Sequence, residues 1–112
     1  MNATVEYNDN RISLYVAQQG KCAVTKEPLS LEDIHCHHKT PKSLGGGDDY
    51  ANLIILDERI HRLVHATQKD TISAILQTVQ LDKRQLDKLN KLRKSAGNEA
   101  ITVGQRITPV AD

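Results

Sequence analysis

A run of four apolar residues, Leu53 to Leu56, places the strongest constraint on the fold of this chain. A loop with three successive glycines at 45–47 precedes the run, and Asp57 follows it as a candidate helix cap. A short apolar run between such boundaries is typical of a buried strand. The mostly polar segment 34–40 ends at a proline, which favours extended backbone. We therefore expect two short extended segments joined by the glycine loop, followed by a helix over residues 58–67.

Helical periodicity is also present before this unit. Residues 9–19 predict a short helix that Asp9 or Asn10 caps and that Gly20 ends. The side chains that recur at helical spacing there are Ile12, Tyr15, Val16 and Gln19.

After the unit, leucines and isoleucines repeat at helical spacing over residues 70–97, which predicts one or two further helices. The tail over 98–112 lacks periodicity, so we expect it to be loosely ordered. At 112 residues the chain fits one α+β domain, 1–112, with its core at about 10–68. The chain has no Phe and no Trp, so Leu, Ile, Val and Ala must form a thin core.

Charge and cysteine content limit the kinds of protein and of metal site that the chain can form. The formal net charge is only +1, so any surface that binds nucleic acid must be local. No signal peptide and no membrane-spanning run is evident, and the simplest expectation is a soluble protein in the reducing cytoplasm. Cys22 and Cys36 are the only cysteines, which excludes a four-cysteine zinc site. We expect both to pack as small hydrophobic residues and give a metal role less weight.

Four of the five histidines form two pairs with different geometry. His61 and His65 lie four residues apart on a predicted helix, so both rings project from one face and can bind one metal ion. His37 and His38 are adjacent in an extended segment, so their side chains point to opposite sides. This favours separate roles, in which one residue binds the ion and the other performs chemistry. Solvated or hydrogen-bonded histidines remain the alternative for either pair taken alone.

The complete string of motifs resembles the HNH endonuclease family. The resemblance covers about residues 10–95, and its motifs lie at Cys22 to Pro28, His35 to Gly46, Tyr50 to Leu53 and Ile60 to Ala66. The version that it resembles most is the C-terminal domain of bacterial group II intron-encoded reverse transcriptase/maturase proteins. The resemblance implies a ββα-metal (His-Me finger) core, which is a two-stranded hairpin and a metal-binding helix, with flanking N- and C-terminal helices.

The resemblance also implies roles for individual residues. His38 would be the general base that activates water, and Asn52 would hold the loop and orient His38 through hydrogen bonds. His37, His61 and His65 would bind one divalent metal ion. Imidazole ligands favour Zn²⁺ or Ni²⁺ as the ion found bound, whereas Mg²⁺ or Mn²⁺ would serve catalysis.

His35 lies two residues before His37 and so on the same strand face. It is either a substitute metal ligand or, with more weight, a surface or phosphate-contacting histidine.

Basic residues offer local contacts to double-stranded DNA. Lys39, Lys42 and Arg62 flank the expected centre and are candidate phosphate contacts. The lysines and arginines of segment 82–94 either contact phosphates too or form a solvated helix face.

The expected function is a metal-dependent DNA endonuclease that nicks one strand and is linked to group II intron mobility. Its partners would be double-stranded DNA, intron RNA and a reverse transcriptase/maturase. The alternatives are a standalone phage or defence nicking nuclease, a catalytically idle, metal-stabilised module that only binds nucleic acid or protein, and a histidine-rich metal carrier.

Overall fold

The computed structural model describes residues 4–102 and has the predicted α+β architecture, a two-stranded antiparallel hairpin packed with helices. The helices and strands are α1 (Val5–Ala17), β1 (His35–His38), β2 (Leu53–Leu56), α2 (Glu58–His65), α3 (Lys69–Thr78) and α4 (Lys83–Ser95). Single turns of 3₁₀ helix lie at Leu31–Asp33, Lys42–Leu44 and Tyr50–Asn52. The hairpin and α2 form a ββα unit. Within residues 4–102, no helix is long and apolar enough to cross a membrane.

Strand β2 is buried along its whole length because both faces of the hairpin are covered. Leu53 and Ile55 pack with Leu14 of α1, whereas Ile54 and Leu56 join the main core with α2, α3 and α4. Successive strand residues point to opposite faces, so burial on both sides requires four consecutive apolar residues instead of an alternation. The predicted buried strand is confirmed.

The register of the hairpin separates the two adjacent histidines of β1. His37 is paired with Ile54, and His38 is paired with Leu53. Residues directly opposite each other in an antiparallel pair share a face of the sheet. His37 therefore lies on the side of α2 and the main core, and His38 lies on the side of α1. This confirms the prediction that the two side chains point to opposite sides.

Helix α1 begins earlier than the sequence predicts. Thr4 is its N-cap, and the Thr4 hydroxyl accepts a hydrogen bond from the backbone N–H of Tyr7 at 2.9 Å. The expected cap at Asp9 or Asn10 is therefore wrong, and both residues lie inside the helix. A tertiary contact explains the position of Asn10, because its Nδ2 donates to the backbone carbonyl of Asp48 at 2.9 Å.

The buried side of α1 also differs from the expected one. Leu14 is buried against the hairpin, whereas Ile12 and Val16 are 43% and 69% exposed. The predicted end of the helix is close to the observed one. Gly20 follows the helix with φ of 70° and donates its N–H to the carbonyl of Tyr15 at 2.8 Å. Glycine adopts this left-handed conformation without the steric cost of a side chain.

Helix α2 has the predicted cap. Asp57 accepts a hydrogen bond from the backbone N–H of Arg59 at 2.7 Å, and the helix ends at His65 instead of at residue 67. The predicted apolar face is buried in the main core and consists of Ile60, Leu63 and Val64. Burial of this face fixes the rotation of α2 and so the direction in which its polar side chains project.

The predicted helical extension consists of the two helices α3 and α4, and a side-chain capping box begins α4. Part of the expected loose tail, residues 98–102, is held against the helices through Asn98 and Ile101. Ile101 is buried, and its backbone N–H and carbonyl both bond to the side-chain amide of Asn90. These two hydrogen bonds hold the segment in place, although its sequence has no helical or strand periodicity. The rest of the expected tail, 103–112, lies outside the described residues.

The C-terminal end of α2 is closed by α4 and the segment after it. The buried Arg93 guanidinium donates to the backbone carbonyls of Leu63 and Ala66. Asn98 donates to the carbonyl of Val64 at 2.8 Å. Carbonyls in the last turn of a helix have no partner within the helix, and a cation suits the negative end of the helix dipole. The helix that carries His61 and His65 is thus completed by side chains from outside the ββα unit.

Candidate functional site

The structure brings three of the expected site residues together between β1 and α2. His37, His61 and His65 each offer one ring nitrogen, and these nitrogens lie within 4.8 Å of one another. The ring centroids are 4.9 to 5.2 Å apart. His61 and His65 project from one face of α2 at four-residue spacing, and His37 faces them from the strand. The arrangement is a three-imidazole cluster that we call the histidine cluster.

The chemistry of the histidine cluster fits a divalent metal ion. His37 is buried, and its Nε2 has no hydrogen-bond partner among the described residues. Burial and the neighbouring histidines lower the pKa of His37 to about 4, and burial with His65 and His35 lowers the pKa of His61 to about 4. Both rings are therefore neutral at pH 7, and a neutral imidazole has one lone pair that can bind a metal ion. A metal ion bound to these nitrogens would satisfy a buried polar atom that otherwise costs about 1–3 kcal/mol.

His38 lies on the other face of the hairpin and is held at two points. Its Nε2 lies 2.8 Å from Oδ1 of Asp48, and its ring stacks on the Tyr7 ring at 5.5 Å with planes 9° apart. Tyr7 is fixed in turn because its hydroxyl donates to the carbonyl of Cys36 at 3.2 Å. The structure thus orients the His38 ring without involving it in the histidine cluster.

Asp48 is a site residue that the sequence analysis missed. Its carboxylate accepts hydrogen bonds from the Thr4 hydroxyl at 2.7 Å, from His38 at 2.8 Å and from the Lys42 ammonium at 3.4 Å. The bonds from His38 and Thr4, with the Lys42 charge, lower the pKa of Asp48 to about 2. A carboxylate that is ionised at neutral pH can only accept, so Nε2 of His38 carries the hydrogen of this bond.

Asn52 holds the glycine loop closed, as expected, but its contacts differ in one respect. Its Oδ1 accepts from the Thr40 N–H at 2.9 Å, and its Nδ2 donates to the carbonyls of Thr40 and Gly47. The hydrogen bond that orients His38 comes instead from Asp48. Asn52 therefore acts on the loop, and the loop in turn places Asp48.

Gly46 shows why the loop needs glycine. A Cβ atom at this position would lie 1.8 Å from the carbonyl oxygen of Thr40 and 2.9 Å from Nδ2 of Asn52. The loop backbone approaches the end of β1 too closely for any side chain. Close packing at Gly46 and the Asn52 bonds therefore close the loop together.

The expected DNA contacts lie around the site without forming a single cluster. Lys42 is half-exposed and is paired with Asp48. Lys39 directly follows β1, and its backbone N–H donates to the carbonyl of Asn52 at 2.7 Å. Arg62 lies next to His61 on α2 and lines an open groove between α2 and α3. Their contact with phosphate stays a prediction.

His35 lies beside the histidine cluster. Its Nδ1 is 3.1 Å from Nδ1 of His61, so it is half-buried against a cluster residue and is not a free surface side chain. Cys22 is buried in the main core and Cys36 is half-buried near α1, both as free thiols.

The fold and the site together define a small ββα unit with a three-imidazole cluster on one face and an oriented histidine on the other. Residues 21–67 match a family model described as HNH endonuclease. The match spans both strands, the glycine loop and α2, and so includes every histidine of the site. No curated protein and no solved structure shows significant similarity to the chain.

Proposed function

We propose that this protein is a metal-dependent endonuclease that hydrolyses phosphodiester bonds in double-stranded DNA. The observation that carries the proposal is the separation of His37 and His38. One ring joins the histidine cluster, whereas the other is held by a carboxylate outside it. A module that needed the ion only for stability would have no use for the oriented His38. The match of residues 21–67 to HNH endonuclease supports the same conclusion.

In this proposal His38 is the general base. Because its Nε2 donates to Asp48, the lone pair of the neutral ring is on Nδ1. Nδ1 can therefore take a proton from an attacking water molecule, and the imidazolium that forms is stabilised by the Asp48 carboxylate. The Tyr7 ring limits rotation of His38, so Nδ1 keeps one direction.

His37, His61 and His65 would hold one divalent ion. Bound there, such an ion supplies positive charge that stabilises the phosphoryl oxygens and the leaving 3′-oxygen. Three neutral imidazoles cancel none of that charge and leave coordination positions for other ligands. Zn²⁺ or Ni²⁺ fits this nitrogen set for tight binding, and we propose Mg²⁺ or Mn²⁺ for catalysis.

The finer proposals concern the target. Residues 4–102 carry one such site per chain, which favours nicking of one strand per event. Lys39, Lys42 and Arg62 would contact phosphates, a mode of binding that does not depend on sequence. We further propose a role in group II intron mobility, with intron RNA and a reverse transcriptase/maturase as partners. A standalone phage or defence nickase is the alternative within the same activity.

The first test is the nicking of supercoiled plasmid with Mg²⁺, Mn²⁺, Ni²⁺ or Zn²⁺. We expect metal-dependent nicking by the wild type, and background activity for His38→Ala and His65→Ala. His38→Ala should keep stoichiometric metal, whereas His65→Ala should lose it. The control is Gln77→Ala, an exposed position on α3.

The outcomes separate the candidate functions. Equal nicking by His38→Ala and the wild type would refute the assignment of the base. If the protein binds a stoichiometric amount of metal but does not cleave plasmid in the presence of any of the ions, the idle binding module is favoured over a nuclease.

A further inference from the structure

His35 is a fourth imidazole beside the histidine cluster, and the proposed function gives it no role. It lies on the same face of β1 as His37, because alternate strand residues share a face. Its ring centroid is 5.1 Å from that of His61, and the two Nδ1 atoms are 3.1 Å apart. The direct contact of two ring nitrogens restricts where the protons can be.

A neutral imidazole has one N–H and one lone pair. A hydrogen bond between the two Nδ1 atoms therefore has two possible arrangements. In the first, His61 donates from Nδ1 and its lone pair is on Nε2. In the second, His35 donates, and His61 accepts at Nδ1 and carries its hydrogen on Nε2. Only the first arrangement leaves His61 a lone pair for a metal ion.

We propose that His35 is a positioning residue that accepts the Nδ1–H of His61 and so holds Nε2 of His61 toward the divalent ion. The inference rests on the proposed metal centre. A metal-bound histidine usually donates its second ring N–H to an acceptor, and loss of that acceptor weakens metal binding about 10- to 100-fold. A neutral imidazole fills this role here without adding negative charge, so the ion keeps its full charge for the substrate.

The geometry favours this role over direct ligation. Among the residues described, the ring nitrogens that lie within 4.8 Å of one another and can share one ion belong to His37, His61 and His65. The Nδ1 of His35 is directed at the ring of His61 instead. The two roles also make different demands on the side chain, since an acceptor can be replaced by an amide oxygen but an imidazole ligand for Zn²⁺ cannot.

The test measures Zn²⁺ and Co²⁺ affinity of the full chain by competition with a chromogenic chelator at about pH 7.5, where an unperturbed imidazole is mostly neutral. His35→Ala should weaken binding about 10- to 100-fold. His35→Asn, whose side-chain oxygen can occupy the position of Nδ1, should recover most of that loss. Gln77→Ala should bind as the wild type does. Far-UV circular dichroism of each variant checks that the fold is kept.

Two spectroscopic measurements identify the role. Long-range ¹H–¹⁵N correlation of the zinc-loaded wild type should show Nδ1 of His61 protonated and Nε2 bound to the ion. The visible spectrum of the cobalt-loaded protein should be the same for the wild type and His35→Asn, because the ligand set does not change.

Several results would overturn the proposal. Wild-type affinity in His35→Ala would show that His61 needs no acceptor. A changed cobalt spectrum in His35→Asn, with no recovery of affinity, would make His35 a direct ligand. Failure of the wild type to bind either ion would reject the metal centre and this inference together. Tight metal binding without DNA cleavage would leave the role of His35 intact and refute only the nuclease.

Discussion

Replacement of Asp48 by asparagine changes one atom of the site and tests how His38 is activated. The carboxylate oxygen that faces Nε2 of His38 at 2.8 Å becomes part of an amide. A hydrogen bond to a charged group contributes about 1.5–3 kcal/mol, and each 1.4 kcal/mol corresponds to about a factor of ten. Loss of the charge alone should therefore slow cleavage about 10- to 150-fold. The cause is weaker stabilisation of the imidazolium.

Asparagine can have a larger effect than loss of charge. If its NH₂ group faces Nε2 of His38, the ring must accept there and carry its hydrogen on Nδ1. Nδ1 would then have no lone pair for the proton of water, and the loss of rate can reach about 10⁴-fold. We thus expect Asp48→Asn to be at least as slow as Asp48→Ala, although it is the more conservative change.

The assay is the rate of plasmid nicking at saturating metal, measured together with metal stoichiometry. Asp48→Asn should keep full metal binding because Asp48 lies outside the histidine cluster. The matched control is Asp49→Asn, which makes the same chemical change at the next, exposed position of the loop. Nicking by Asp48→Asn within about threefold of the control, well below the smallest loss derived above, would refute the role of the carboxylate.

Three further predictions concern stability. The pKa values of His37 and His61 are lowered from 6.5 to about 4, so between pH 6.5 and pH 4 the unfolded chain binds more protons than the folded one. The metal-free protein should therefore lose stability as the pH falls through this range. Urea midpoints that do not change with pH in this range would contradict the prediction. Arg93→Ala should lower the free energy of unfolding by about 2–4 kcal/mol, because the carbonyls of Leu63 and Ala66 lose their donor. Chemical denaturation measures this loss. A loss below about 1 kcal/mol, the net value of one ordinary hydrogen bond, would argue against a role of Arg93 in capping α2. Gly46→Ala places a methyl group 1.8 Å from the Thr40 carbonyl oxygen, so the loop must shift. The melting temperature and the nicking rate should both fall. Wild-type values for both would show that the loop accommodates the methyl group without loss of stability or activity.

Local patterns in the sequence were sufficient for the buried strand β2 and for helix α2, whereas the pairing of two strands into a hairpin followed from the family resemblance. The apolar run Leu53–Leu56 and the cap at Asp57 were recognisable because their structure depends on neighbours in the chain. The spacing of His61 and His65 placed both rings on one side of α2 for the same reason. Their approach to His37 followed from the family resemblance and is present in the structure.

Contacts distant in the sequence were not predictable in this way. Thr4 and Asp9 are both acceptable helix caps, and the bond of Asn10 to Asp48 favours the helix that begins at Thr4. Asp48 reaches His38 only because the loop is closed, and no periodic pattern in the sequence predicts that the loop closes. Arg93 belongs to segment 82–94, whose basic residues were expected to contact phosphates or to form a solvated helix face, but it is a buried donor to carbonyls at the end of α2.

The bonds of Arg93 and Asn98 to α2 affect how this protein can be divided or recombined. The family match ends at residue 67, but the donors that complete the helix of His61 and His65 come from residues beyond it. Likewise, Thr4 lies before the start of the match and donates a hydrogen bond to the Asp48 carboxylate, which holds His38. A graft of residues 21–67 onto another protein would carry all the histidines and lose part of what holds them. The smallest transferable cassette therefore extends beyond both edges of the recognisable family segment.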